Sequence, residues 1–93
     1  MELYQWSDDA VAELRGGLTP LDVVEALDAP VALRMDNRAP EATPTFLAVC
    51  APTRQQRLIA VVCIRASHGG VWTIVGARDA SVNERAMWRK YTS

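Results

Sequence analysis

The chain has 93 residues, about half of them apolar and about a quarter charged, with a formal net charge of −1. This size predicts one domain spanning 1–93, which buries roughly 60–65% of its unfolded surface in one modest core. No apolar run approaches membrane-spanning length, which excludes a helical membrane anchor within the sequence.

The start, MELYQWSDDA, has neither a basic leader nor an apolar stretch of the secretory type. Cys50 and Cys63 each sit inside an apolar run, so both read as core residues of a reduced, cytoplasmic protein. One histidine and two separated cysteines show no metal-ligand spacing, and nothing points to a cofactor.

Glu2 to Trp6 is rich in strand formers and predicts a short first strand. Ser7 and Asp8 then supply N-cap chemistry. Ala10, Val11 and Leu14 fall at helical spacing, so a helix is expected over Asp9 to Arg15, stopped by Gly16-Gly17. A second helix begins at Thr19, with Pro20 in its first position and Asp22 at its positive end. Leu21, Val24 and Leu27 define its apolar face, widened by Val23, and Ala29-Pro30 ends it.

Beyond Pro30 the period changes to two. Val31, Leu33 and Met35 alternate with Ala32, Arg34 and Asp36, as in a strand with one buried face. Asn37 to Pro44 is loop-like. TFLAVCA at 45–51 and LIAVVCIRA at 58–66 are strands separated by the turn PTRQQR. The second run is apolar on both faces and predicts a central strand. His68-Gly69-Gly70 is a turn, and VWTIVGA at 71–77 is the last strand. Short links between these four strands favour an antiparallel meander.

Ser81-Val82-Asn83-Glu84 matches the capping box, so a helix starts at Ser81 and runs to about Tyr91. Trp88 and Tyr91 lie one turn apart on it, and Trp88 reads as a packing anchor. The fold class is therefore α+β. It comprises two short N-terminal helices, a four- to five-stranded, mainly antiparallel sheet, and a C-terminal helix.

Charge is uneven along the chain. Arg54, Arg57, Arg65, Arg78, Arg85, Arg89 and Lys90 face only Asp79 and Glu84 in the second part, whereas nine of the eleven acids precede Arg54. This predicts a basic C-terminal surface. Direct DNA binding by the two N-terminal helices is disfavoured, because neither carries a basic recognition face.

The C-terminal residues resemble the BrnT family of type II toxins, which have a RelE-like fold. Val75-Gly76-Ala77-Arg78-Asp79-Ala80 followed by Glu84-Arg85 is similar to the family's A-R-x-A…E-R pattern, with Trp88 where a tyrosine would fall. Arg57 to Val62 looks like the preceding family strand. Gly17-Leu18-Thr19-Pro20-Leu21-Asp22-Val23-Val24-Glu25-Ala26-Leu27 is similar to its second helix, and Trp6 resembles its first-strand aromatic.

The resemblance implies a metal-independent endoribonuclease, in which a ribose 2′-hydroxyl attacks the adjacent phosphate, and a small cognate antitoxin as partner. Such chemistry needs cations around a phosphate gaining charge, with a proton acceptor and donor nearby. Arginine suits the first role because its planar fork matches phosphate oxygens. Arg78 and Arg85 are the candidate catalytic cations, Arg57 and Arg65 extend an RNA-phosphate patch, and His68 is the candidate general acid or base. The sequence departs from the family in having Arg15-Gly16-Gly17 where a basic Lys-His-Gly run is common, Thr73 in place of an arginine, and Gly76 in place of a serine. These departures motivate an alternative from another class: a non-catalytic protein-interaction module on the same scaffold.

Overall fold

A computed structural model describes residues 3–36, 45–65 and 71–93. Five strands form one mixed, mostly antiparallel sheet: β1 (Leu3–Trp6), β2 (Leu33–Asp36), β3 (Thr45–Pro52), β4 (Leu58–Arg65) and β5 (Val71–Asp79). The spatial order is β1-β5-β4-β3-β2. The four later strands make the expected meander, while β1 adds to β5 in parallel with Trp6 opposite Ile74. Helix α1 (Pro20–Leu27) precedes β2, and α2 (Val82–Thr92) follows β5.

The fold therefore has one internal and one C-terminal helix, and the helix expected over Asp9 to Arg15 does not form. That segment is a chain of turns. Glu13 N–H reaches the Asp9 carbonyl at 3.2 Å, but Ala10 and Leu14 bond back only three residues, to Ser7 and Val11. Ala10 is fully buried and Leu14 packs against the core, but Val11 is 56% exposed, so the apolar face of the segment is narrow. A nucleus of one turn without packing is unfavourable. The edge of β5 offers better partners: Leu14 bridges to Ala77, and Arg15 N–H donates to the Ala77 carbonyl at 3.0 Å.

Gly16 and Gly17 then reverse the chain at φ of +65° and +77°. At Gly16 the positive φ favours glycine, and a Cβ would also stand 2.8 Å from an Arg57 guanidinium nitrogen, which would have to shift. Helix α1 begins as expected. Thr19 Oγ1 accepts from Asp22 N–H, and the Asp22 carboxylate accepts from Thr19 N–H at 2.9 Å. Its buried face differs from the expected one. Val23 and Ala26 are fully buried against the sheet, while Leu21 and Val24 are 63% and 46% exposed.

Register separates the two faces of the sheet. The core lies on the α1 side, where Leu47, Val49 and Ala51 of β3 meet Ile59, Val61 and Cys63 of β4 and Trp72, Ile74 and Ala77 of β5. β4 is central, as its doubly apolar run predicts. On the opposite face, a row runs across Leu33, Cys50, Ala60 and Arg78. Cys50 and Cys63 are buried free thiols on opposite faces, three positions apart in the β3–β4 register. No helix among the described residues is long and apolar enough to cross a membrane.

The β3–β4 hairpin closes on Thr53 N–H to the Arg57 carbonyl at 2.9 Å, with Gln56 N–H donating to the Thr53 carbonyl. Gln56 takes φ of 65°, a left-handed conformation that costs a side-chain-bearing residue roughly 1–2 kcal/mol. Gln56→Gly is expected to stabilise the fold by about 1 kcal/mol, raising the thermal midpoint by about 4–8 °C in calorimetry.

Candidate functional site

The β5–α2 junction carries most of the residues singled out in the sequence. The capping box expected there is present. Ser81 N–H donates to Glu84 Oε1 at 2.7 Å, and Glu84 N–H donates to Ser81 Oγ at 3.2 Å. This fixes where α2 starts and turns the Glu84 carboxylate back over the end of β5.

Arg78 meets it there. Its two terminal nitrogens donate to Glu84 Oε1 at 2.6 Å and Oε2 at 3.0 Å, a bidentate fork. The Glu84 side chain is only 11% exposed, so the pair is largely withdrawn from water on the acid side. The Arg78 hydrogen bonds, aided by those from Ser81, hold the Glu84 carboxyl below its ordinary pKa. Cys50 lies near Glu84, Arg78 and Arg85, and its thiol is pushed up, first by burial and then by the Glu84 charge. It is therefore held as a protonated core thiol and not as a nucleophile.

Arg57 is satisfied separately. Its Nε donates to Asp79 Oδ1 at 2.8 Å, and a terminal nitrogen reaches both Asp79 Oδ2 at 3.0 Å and the Gly16 carbonyl at 2.6 Å. This pair holds the Asp79 carboxyl below its usual range. Successive strand residues point to opposite faces. Arg78 and Asp79 are successive, so the Arg78–Glu84 and Arg57–Asp79 pairs lie on opposite faces of the sheet corner.

Arg85 differs. It is exposed on the first turn of α2, and its Nε donates to the backbone carbonyl of Ala80 at 3.2 Å. Arg89, one turn on, donates its Nε to the Arg85 carbonyl at 3.4 Å. Arg65 lies eight residues along the chain from Arg57, about 25 Å at strand rise. It covers the Trp72 ring, its guanidinium carbon 4.4 Å from the ring centroid. His68 lies outside the described residues.

The expected arginine set is thus not gathered around one pocket. Arg78 lines a shallow hollow of about 230 Å³ with Glu13, Arg15 and Val62. Arg85 lines another, about 400 Å³, with Pro52, Gln56, Leu58, Trp88 and Arg89. Arg57 and Arg65 line neither. A larger groove of about 640 Å³ adjoins the second hollow, between Leu21 and Val24 of α1 and Trp88 of α2. The sequence reading missed Arg89 and Gln56 and saw Trp88 only as an anchor. The spacing of Arg85, Trp88 and Arg89, which share one helical face, was the available signal. No group of His, Cys, Asp and Glu among the described residues has metal-binding geometry.

These features define a small α+β domain whose terminal helix presents exposed arginines beside an indole. No protein-family model matches the sequence, and no curated protein matches it.

The buried carboxylate generates a pH dependence. Because the folded pKa of Glu84 lies below its unfolded value, the stabilisation is complete above the ordinary glutamate pKa of about 4.3. It is lost as pH falls through the folded pKa. Urea midpoints should stay flat in this contribution from pH 7 to about 5 and fall below about 4. Glu84→Gln should lower stability at pH 7 by about 1–3 kcal/mol and flatten part of the acid slope, since Asp79 adds a contribution of the same sign.

Proposed function

We propose that this chain is the toxin component of a type II toxin–antitoxin pair on a BrnT-like, RelE-like scaffold. It binds RNA through arginines of the β5–α2 corner and promotes attack of a ribose 2′-hydroxyl on the adjacent phosphate without a metal. A small antitoxin protein neutralises it. The observation that carries the reading is Arg85, an exposed guanidinium at the start of the terminal helix whose Nε bonds a backbone carbonyl and leaves its charge uncompensated by that contact. The Ala77-Arg78…Glu84-Arg85 pattern and the sheet closed by a C-terminal helix also support it.

In this reading Arg85 makes the first phosphate contact. Arg78 joins only if the phosphate takes the place of the Glu84 carboxylate, exchanging one bidentate anion for another. The Glu84 carboxylate so released takes the proton of the attacking 2′-hydroxyl as the O2′–P bond forms, and His68 protonates the 5′-oxygen as the P–O5′ bond breaks. Arg57 and Arg65 then contribute to the electrostatic field more than to contact with the reacting phosphate.

One observation favours the second reading, a non-catalytic protein-interaction module. Arg57 and Arg78 are each engaged by a carboxylate, so two of the proposed phosphate contacts are already occupied. The partner of such a module would cover the exposed apolar groove lined by Leu21, Val24 and Val31.

Incubation of the protein with single-stranded RNA in EDTA separates the two. The ribonuclease reading expects fragments ending in 2′,3′-cyclic phosphate, with cleavage reduced at least tenfold by Arg85→Ala and by Arg78→Ala. Intact RNA with all three proteins, together with normal bacterial growth on induction, would overturn that reading and leave the interaction module.

A further inference from the structure

The hollow between α2 and the β3–β4 turn has the elements of a ligand site that shares only Arg85 with the proposed cleavage chemistry. Arg85, Trp88 and Arg89 stand at i, i+3 and i+4 on α2, so all three side chains project from one face. Each arginine spends its Nε on a main-chain carbonyl, Ala80 for Arg85 and Arg85 for Arg89. These bonds tether both guanidinium groups to the main chain and leave their forks with no carboxylate bonded to them among the described residues, Asp79 sensing the Arg85 charge only at longer range. Two like charges at i and i+4 repel, which costs a few tenths of a kcal/mol in an isolated helix. An anion placed between them reverses that sign.

The remaining walls are not anionic. Pro52 and Leu58 are apolar, and Gln56 offers an amide with both donors and an acceptor. Glu25 and Asp28 line the adjoining groove and not this hollow, and Glu25 already accepts from Arg54 N–H at 3.1 Å. Trp88 is half-buried and lines both hollows, with Tyr91 tilted beside it at 6.3 Å between ring centroids. The volume, about 400 Å³, falls in the range of small-molecule sites.

We propose that this hollow is a nucleoside-phosphate site, in which Arg85 and Arg89 hold the phosphate and the Trp88 indole stacks on the base. Gln56 meets the base edge from the turn. The arginine pair supplies a fork on each side of one phosphate. The indole supplies a stacking surface that tolerates any base, as in single-strand binding platforms. The same chemistry is offered by a free mononucleotide and by one nucleotide of a single-stranded RNA. The site binds whether or not the chain cleaves RNA.

The test is a ¹⁵N–¹H NMR titration of the intact chain with inorganic phosphate, adenosine 5′-monophosphate and a short single-stranded oligoribonucleotide. The Trp88 indole N–H and the Nε–H groups of Arg85 and Arg89 are followed. These signals should shift with a nucleotide ligand and respond at least tenfold more weakly to inorganic phosphate. Arg89→Ala should weaken nucleotide binding about tenfold, with partial recovery in Arg89→Lys. Trp88→Leu should remove the advantage of nucleotide over phosphate. Response to the oligoribonucleotide but not the mononucleotide assigns the site to an RNA strand, and response to both assigns it to nucleotides generally. Unmoved signals with both ligands, or wild-type affinity in Arg89→Ala, would overturn the proposal. RNA cleavage by a wild-type chain with unmoved Trp88 and Arg89 signals removes this site while the ribonuclease reading stands; shifted Trp88 and Arg89 signals without cleavage do the reverse.

Discussion

The bidentate contact between Arg78 and Glu84 governs the C-terminal third of this protein. Glu84 is tied at the same time to the Ser81 backbone, so one carboxylate caps a helix, receives a strand-end arginine and sets the angle at which the chain leaves the sheet. Glu84 is also the one buried residue of α2. The helix is therefore seated through a charge and a cap more than through an apolar stripe. Removing Arg78 would strand the Glu84 carboxylate in a poorly solvated place, which is the costly way to lose such a pair.

The same contact divides the arginines by role. Arg78 and Arg57 are structural in the resting molecule, each joining β5 or its approach to another segment through a carboxylate. Arg65 spreads over the Trp72 ring at the far end of β4. Arg85 and Arg89 are left on the solvent side of α2, held by main-chain carbonyls and facing a hollow with an indole. A nearly neutral chain thus still presents two exposed arginines side by side on α2, because Asp79 and Glu84 are taken up by Arg57 and Arg78.

The sheet is unequally covered. On one face α1 and the turn segment before it close a continuous core around Val23, Ala26, Val49, Val61 and Ile74. On the other, α2 reaches the end of the sheet where Cys50 and Ala60 are buried, while Ala48, Val62 and Ile64 remain half-buried. Leu21 and Val24 of α1 are likewise exposed along a groove toward Trp88. This groove meets α2 at Trp88, beside Arg85 and Arg89.

Much of this was legible from local chemistry. The period-two runs located β2 to β5, Thr19-Pro20 and Ser81…Glu84 located both helix starts, and the doubly apolar run identified β4 as central. These features rest on neighbouring residues, so the sequence by itself determined them. The candidate site was legible only as a list of arginines. The pairing of Arg78 with Glu84 and of Arg57 with Asp79 depends on cross-strand register and on the angle of α2. The helical spacing of Ala10, Val11 and Leu14 yielded to hydrogen bonds on the β5 edge, which lies more than sixty residues away in the chain. Tertiary structure alone decided which cations were neutralised and which stayed open, because that outcome depends on contacts between residues far apart in sequence.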